Sequence, residues 1–90
     1  MDEDLVAKID AALARIRPMA RASFAPALSI ERQLEWCRGY VREHATDDRP
    51  GPLSMGLIAV REFDMHGDQP DLSDLVNEIQ RHVEARLKEA

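Results

Sequence analysis

The chain has 90 residues, of which 44% are apolar and 32% charged, with a formal net charge of −5. This length suits a single domain, predicted to span residues 1–90, and the apolar share is too high for a disordered chain. No apolar run approaches the roughly 20 residues that cross a bilayer, the acidic start Met1 to Asp4 is unlike a signal peptide, and the negative charge disfavours nucleic acid. We therefore expect a cytoplasmic protein with no membrane or nucleic-acid partner.

The first half of the chain predicts two helices. Apolar residues recur at helical spacing from Leu5 to Ile16, which predicts a helix over residues 2–17, and Pro18 should end it because the residue before proline leaves the α region. After a connector over residues 18–28, Ser29 is the expected N-cap of a second helix that fades near Ala45.

The second half predicts two more helices. Two prolines and a glycine make residues 46–52 a polar turn. A third helix is expected over residues 53–65, with its buried positions at Leu57, Ile58, Val60 and Phe63. A loop over residues 66–69 leads to Pro70, which suits the first turn of a helix that reaches Leu87. No strand alternation is evident, so the fold prediction is all-α, a small four-helix antiparallel bundle.

The residues that carry chemistry do not form a catalytic or metal-binding pattern. His44, His66 and His82 lack the close helical spacing of a metal motif, and Glu62 with His66 is best interpreted as a surface pair. Cys37 falls on an apolar stripe, where cysteine behaves as a small hydrophobe. Ser29 and Ser54 are interpreted as helix caps. We therefore predict no catalytic residue, no metal, no cofactor and no enzymatic activity.

Carboxylates form the one remaining cluster. Residues 1–52 carry 8 Lys and Arg against 9 Asp and Glu, whereas residues 53–90 carry 4 against 8. Asp71, Asp74 and Glu78 share one face of the predicted fourth helix, and Glu62 and Asp64 stand at the end of the third. Such a face is either simply solvated or binds a basic partner, since opposite charges speed association. The charge pattern leaves both interpretations open.

Two runs resemble a known protein family. SIERQLEW (Ser29 to Trp36) followed by GLIAVREFD (Gly56 to Asp64) is similar to the small immunity proteins that protect bacteria from NAD(P)-degrading toxins of the type VI secretion system. The resemblance covers about a quarter of the chain. It implies an immunity protein that binds its cognate toxin domain, an NAD(P)+ glycohydrolase, and blocks the toxin's active site without chemistry of its own.

The resemblance, combined with the charge, predicts where the toxin binds. The predicted partner-binding surface is an acidic edge with one arginine, which consists of Arg61, Glu62, Asp64, Asp68, Asp71 and Asp74. Trp36, rather than Tyr40, is the predicted aromatic contact. The alternative function is a helical adaptor or self-associating regulatory module without inhibitory activity, in which Met19, Met55 and Met65 line an adaptable groove. The sequence leaves the oligomeric state open.

Overall fold

The computed structural model describes residues 2–43, 49, 51–65 and 67–89. These residues form four helical segments and no strand, which confirms the prediction of a small all-α bundle. The helices are α1 (Asp2–Arg21), α2 (Ala25–Glu43), α3 (Met55–Ala59), which continues directly into a π-helical turn (Val60–Met65), and α4 (Pro70–Glu89). We call α3 and the π-helical turn together the third segment. No helix in the described part of the chain is long and apolar enough to span a membrane.

Ion pairs on the surface show how α1 lies against its two long neighbours. Asp10 pairs with Arg38 at 2.6 Å and Arg17 with Glu35 at 3.4 Å, so α2 runs antiparallel to α1. On the other side of α1, Lys8 pairs with Glu78, and Arg15 with Asp71 at 2.6 Å. The helix α4 is therefore also antiparallel to α1, and the third segment packs against both α2 and α4.

The core is built almost entirely from aliphatic side chains. Every helix contributes a buried stripe, as the apolar periodicity predicts. The largest fully buried side chains are Ile9, Leu13, Ile16, Ile30, Leu34, Met55, Leu72 and Ile79.

The first helix does not end at Pro18 as predicted. Pro18 lies inside α1, and the helix continues to Arg21. Proline removes one bond to the carbonyl of Ala14, but both residues are exposed, so water can satisfy that carbonyl. Ser23 ends the helix with a φ of 64°, and the amides of Ser23 and Phe24 donate to the carbonyls of Ala20 and Met19 at 3.0 and 3.2 Å. This is a Schellman motif with serine in the position that glycine usually takes.

Of the two predicted N-caps, Ser29 is wrong, and Ser54 occupies the predicted position without a capping bond from its side chain. The helix α2 begins at Ala25, four residues before Ser29, and Pro26 occupies its first turn, where a missing N–H costs nothing. Ser54 does precede α3, but its hydroxyl makes no capping bond to the helix backbone. The predicted start of the fourth helix at Pro70 is confirmed. Most of the predicted turn over residues 46–52 lies outside the described residues.

Candidate interaction surface

A glutamine from α2 holds the start of the third segment. The backbone amides of Ser54 and Met55 both donate to Oε1 of Gln33, each at 2.8 Å. The Nε2 group of Gln33 donates in turn to the hydroxyls of Ser29 and Ser54 at 3.2 Å. Gln33 is only 5% exposed, and all its polar atoms are engaged. A side chain distant in sequence thus takes over the capping role that the sequence assigns to Ser54.

Two amides from α4 hold the next residue of the segment, Gly56. Its N–H donates to Oε1 of Gln80 at 2.7 Å, and its carbonyl accepts from Nδ2 of Asn77 at 3.1 Å. A Cβ atom at Gly56 would collide with Oδ1 of Asn77 and approach Oε1 of Gln80 to 3.0 Å. Glycine is therefore the residue that lets α4 approach this closely, although glycine is a poor helix former.

The π-helical turn sets which side chains of the segment face the core. Met55, Ala59 and Phe63 are buried and define the inner face, at a spacing of four residues. A π turn holds more residues than an α turn because its bonds run from i to i+5. Four residues make slightly more than one α turn and slightly less than one π turn, so Met55, Ala59 and Phe63 stay on one side of the segment. Leu57, predicted to be buried, is instead 71% exposed, while Ile58 and Val60 are half-buried.

The opposite side of the segment carries Leu57, Arg61 and Met65, which we call the outer face. Met65 is 69% exposed. Leu57 and Met65 are therefore far more exposed to solvent than Leu28 at 47% or Phe24 at 39%. No other large apolar side chain among the described residues is classed as exposed. Arg61 is a predicted partner contact and Met65 belongs to the methionine groove of the alternative function, whereas Leu57 was predicted to be buried.

The predicted acidic edge separates into two groups. Arg61 pairs with its neighbour Glu62 at 3.0 Å. Asp64 and Asp68 are exposed and form no ion pair within the described part of the chain. These four residues stay together around the end of the third segment, and the Arg61–Glu62 pair is neutral, so Asp64 and Asp68 leave this end with net negative charge.

The carboxylates of α4 are directed differently. Asp71 accepts from Nη1 of Arg15 at 2.6 Å, and Glu78 accepts from Nζ of Lys8, so both face α1. These hydrogen bonds hold the pKa of each carboxyl below its usual value. Asp74 lies between them in sequence and is exposed. Two of the three carboxylates on this face therefore already have cationic partners within the chain.

Trp36 lies apart from the acidic edge. Its ring stacks on Tyr40 with centroids 5.3 Å apart, and the Arg49 guanidinium lies 5.6 Å from the Trp36 ring. Arg49 in turn borders a surface groove with Glu84 and Leu87, near the end of α4. Asp71 is 13 residues earlier on α4, about 20 Å along the helix axis. Trp36 is half-buried against the core and is not grouped with the acidic residues.

Two of the candidate groups for chemistry named from the sequence, Cys37 and His82, lie among the described residues. Burial raises the pKa of the Cys37 thiol to about 12, so the reactive thiolate is suppressed at neutral pH. No group of three metal-binding side chains occurs among the residues that the structure describes. His82 is exposed, 3.9 Å from Glu78. His44 and His66, and with them the proposed Glu62–His66 pair, lie outside the described residues.

Comparison of the chain with protein-family models, with curated proteins and with solved structures found no match. A function is therefore proposed from the two sequence runs and the surface described above.

Proposed function

We propose that this chain is an immunity protein that acts in the cytoplasm, binds a cognate toxin domain and blocks the toxin's active site. The proposed toxin is an antibacterial NAD(P)+ glycohydrolase delivered by type VI secretion, as the two runs in the sequence imply. The observation that carries the proposal is the outer face, where two large, exposed apolar side chains flank an arginine, beside two carboxylates that form no ion pair with any described residue. Exposed apolar groups edged by charge are typical of protein-binding surfaces.

The acidic edge supplies the electrostatic part of this proposal. A cleft that binds a dinucleotide must attract pyrophosphate, so it should be electropositive. Asp64 and Asp68 have exposed carboxylates that no described residue pairs with and that could meet such cations, and Asp74 extends the same negative field. Opposite fields accelerate encounter, which suits a protein that must intercept every toxin molecule. In this scheme Asp71 contributes little net charge, because Arg15 pairs with it.

The proposal needs no chemistry from the chain itself. Inhibition follows from occupation of the toxin's cleft, so the immunity protein should act at equal stoichiometry and remain unchanged. Trp36 is proposed as a second contact only if the toxin extends around α2, because it lies far from Asp71 along the bundle.

The test uses the cognate toxin domain, whose gene we expect next to the gene of this chain. Purified protein is added in increasing ratio to the toxin domain while consumption of NAD+ and NADP+ is followed. We expect activity to fall linearly and to cease near one chain per toxin domain. The charge reversals Glu62→Lys and Asp64→Lys should weaken inhibition, whereas Glu89→Lys, an exposed reversal at the end of α4, should not.

A helical adaptor or self-associating module remains the second candidate, because Leu57 and Met65 would also suit a helical partner or a second copy. Binding to the toxin domain with undiminished NAD(P)+ consumption would favour the adaptor. Concentration-dependent mass in sedimentation equilibrium without toxin would favour self-association. Absence of binding would refute the immunity proposal.

A further inference from the structure

We infer that the outer face inserts Leu57 and Met65 into a cleft with an apolar floor and a basic rim, the kind of cleft that accepts a dinucleotide. This inference rests on the proposed function and identifies which groups occupy the toxin's cleft. The apolar pair would fill the space that accepts flat rings, and Asp64 and Asp68 would meet the cations that accept phosphates. The face would thus match both halves of the dinucleotide's chemistry.

The first support is that Leu57 and Met65 project from a fixed backbone. The inner face of the same segment is buried at Met55, Ala59 and Phe63. The first amides of the segment are bound by Gln33, and Gly56 is bound by Asn77 and Gln80. A side chain presented from an ordered backbone loses less conformational entropy on binding, so more of its burial energy appears as affinity.

The second support is charge complementarity. Arg61 is neutralised by Glu62 at 3.0 Å, while Asp64 and Asp68 have no cationic partner within the described residues. A cleft with basic side chains at its rim would compensate both carboxylates. Two copies of this chain meeting symmetrically through the outer face would bring Asp64 and Asp68 of both chains into one interface, where the cation of the same face, Arg61, is already paired with Glu62. The occupant is therefore a different protein.

The experiment compares single substitutions on the outer face with a matched substitution elsewhere. Leu57→Glu and Met65→Glu place a charge on the outer face, and Leu28→Glu makes the same change at an exposed leucine of α2. Affinity for the toxin domain is measured by titration calorimetry, and circular dichroism with thermal melting checks that each variant folds. Leu57→Ala and Met65→Ala provide a milder second pair that keeps the test valid if a glutamate variant unfolds.

We expect each glutamate variant to weaken binding by about 30-fold or more, as for central contacts of other interfaces, with Leu28→Glu unchanged. NAD+ should compete with the wild-type chain for the toxin domain. Variants of Leu57 and Met65 that bind the toxin domain as tightly as wild type does would overturn the inference while leaving an immunity function standing. Binding of the wild-type chain that does not compete with NAD+ would do the same. A wild-type dimer that Leu57→Glu dissociates would overturn it in favour of a second copy. A wild-type chain that does not bind the toxin domain would overturn the proposed function and this inference together.

Discussion

The two faces of the third segment use polar groups in opposite ways. On the inner side, neutral amides of Gln33, Asn77 and Gln80 bind the backbone, and every polar atom they bury is satisfied. On the outer side, charged groups lie in solvent next to apolar groups, and two of them, Asp64 and Asp68, have no ion-pair partner among the residues that the structure describes. Buried amides that are fully bonded specify one position for a segment, whereas exposed apolar groups beside charges are suited to contact with another molecule.

This contrast also divides the residues that carry the family resemblance. In the run GLIAVREFD, Gly56, Ala59 and Phe63 face inward, and Gln33 belongs to the other run. These residues explain how the segment is built and held. Leu57, Arg61 and Asp64 face outward and are the residues available to a partner. The resemblance is thus in part a resemblance in packing, and the outward residues carry its functional implication.

Replacing Gln33 should produce the largest loss of stability among these comparisons. Gln33→Leu removes the acceptor for the amides of Ser54 and Met55 and leaves the buried amide of Met55 unbonded. We expect a loss of about 2 kcal/mol in the free energy of unfolding, or about 10 °C in melting temperature. Gln33→Glu keeps the acceptor oxygen and should lose less. Equal stability of Gln33→Leu and wild type would show that the inner face does not depend on this amide.

Gly56→Ala should cost about 1 kcal/mol, although alanine is the better helix former by about the same amount. The added Cβ displaces the side-chain amides of Asn77 and Gln80 and weakens their bonds to the Gly56 backbone. Urea denaturation measures the change. The double variant Gly56→Ala with Asn77→Ala should lose less than the sum of the two single variants, since neighbouring changes are not additive. A gain in stability from Gly56→Ala would disprove the close packing.

The ion pairs between helices should contribute a smaller, pH-dependent part. Hydrogen bonds from Arg38, Arg15 and Lys8 lower the pKa of Asp10, Asp71 and Glu78 below their usual values of 3.8 and 4.5. A lowered folded-state pKa gives stability that is present above the usual value and is lost as the pH falls through the folded-state value. The melting temperature should therefore be steady from neutral pH to about pH 5 and decline below about pH 4.

The acid effect should be modest because these pairs are exposed to solvent, where water and salt screen them. Asp10→Asn should flatten part of the acid decline, and added salt should reduce the difference between this variant and wild type. An identical pH profile in the variant would assign the acid sensitivity to other carboxylates.

The outer face should show the smallest effect on stability. Leu57→Ser should change the free energy of unfolding by no more than about 0.5 kcal/mol, because surface substitutions away from packing features are nearly neutral. Ala59→Ser, two residues away on the buried inner face, is the matched comparison and should destabilise through an added buried hydroxyl. Thermal melting of the two variants checks the difference. Equal losses would mean that Leu57 packs in solution and that the two faces are not distinct.

The helices and most of the core were predictable because they depend on apolar periodicity, which is local in sequence. The core contains the apolar stripes that their spacing indicates, within the ranges Leu5 to Ile16, Ile30 to Val41 and Leu72 to Val83. The errors arise where local rules meet a non-local contact or an unusual turn. Pro18 is tolerated because it is exposed, and Ser23 closes α1 in a position where glycine is the usual signal. Ser54 resembles an N-cap, but the capping group is Gln33, 21 residues earlier.

The candidate surface was only partly predictable for the same reason. The carboxylates after Phe63 are evident in the sequence, but their division between α1 and solvent depends on Arg15 and Lys8, which lie more than 50 residues away. Leu57 faces outward because it lies two residues, about 200° around the helix, from both Met55 and Ala59, which are buried. The π-helical turn then keeps Phe63 in line with those two residues, and a spacing of 3.6 residues per turn cannot foresee that turn. The four-residue spacing of Met55, Ala59 and Phe63 was the one signal in the sequence that pointed to the π-helical turn.

The π-helical turn makes the length of this segment as important as its composition. Because its bonds span one residue more than α-helical bonds, the segment accommodates an additional residue without lengthening its core contacts. Deletion of Val60 should let the segment close as an α-helix, with Phe63 three residues after Ala59 and seven after Met55, a spacing that keeps all three on one face. An insertion at the same place should instead rotate every later side chain by about 100°, because the turn already holds one additional residue, and should harm both stability and recognition. Thermal melting and toxin binding of the deletion and insertion variants would measure the two effects separately.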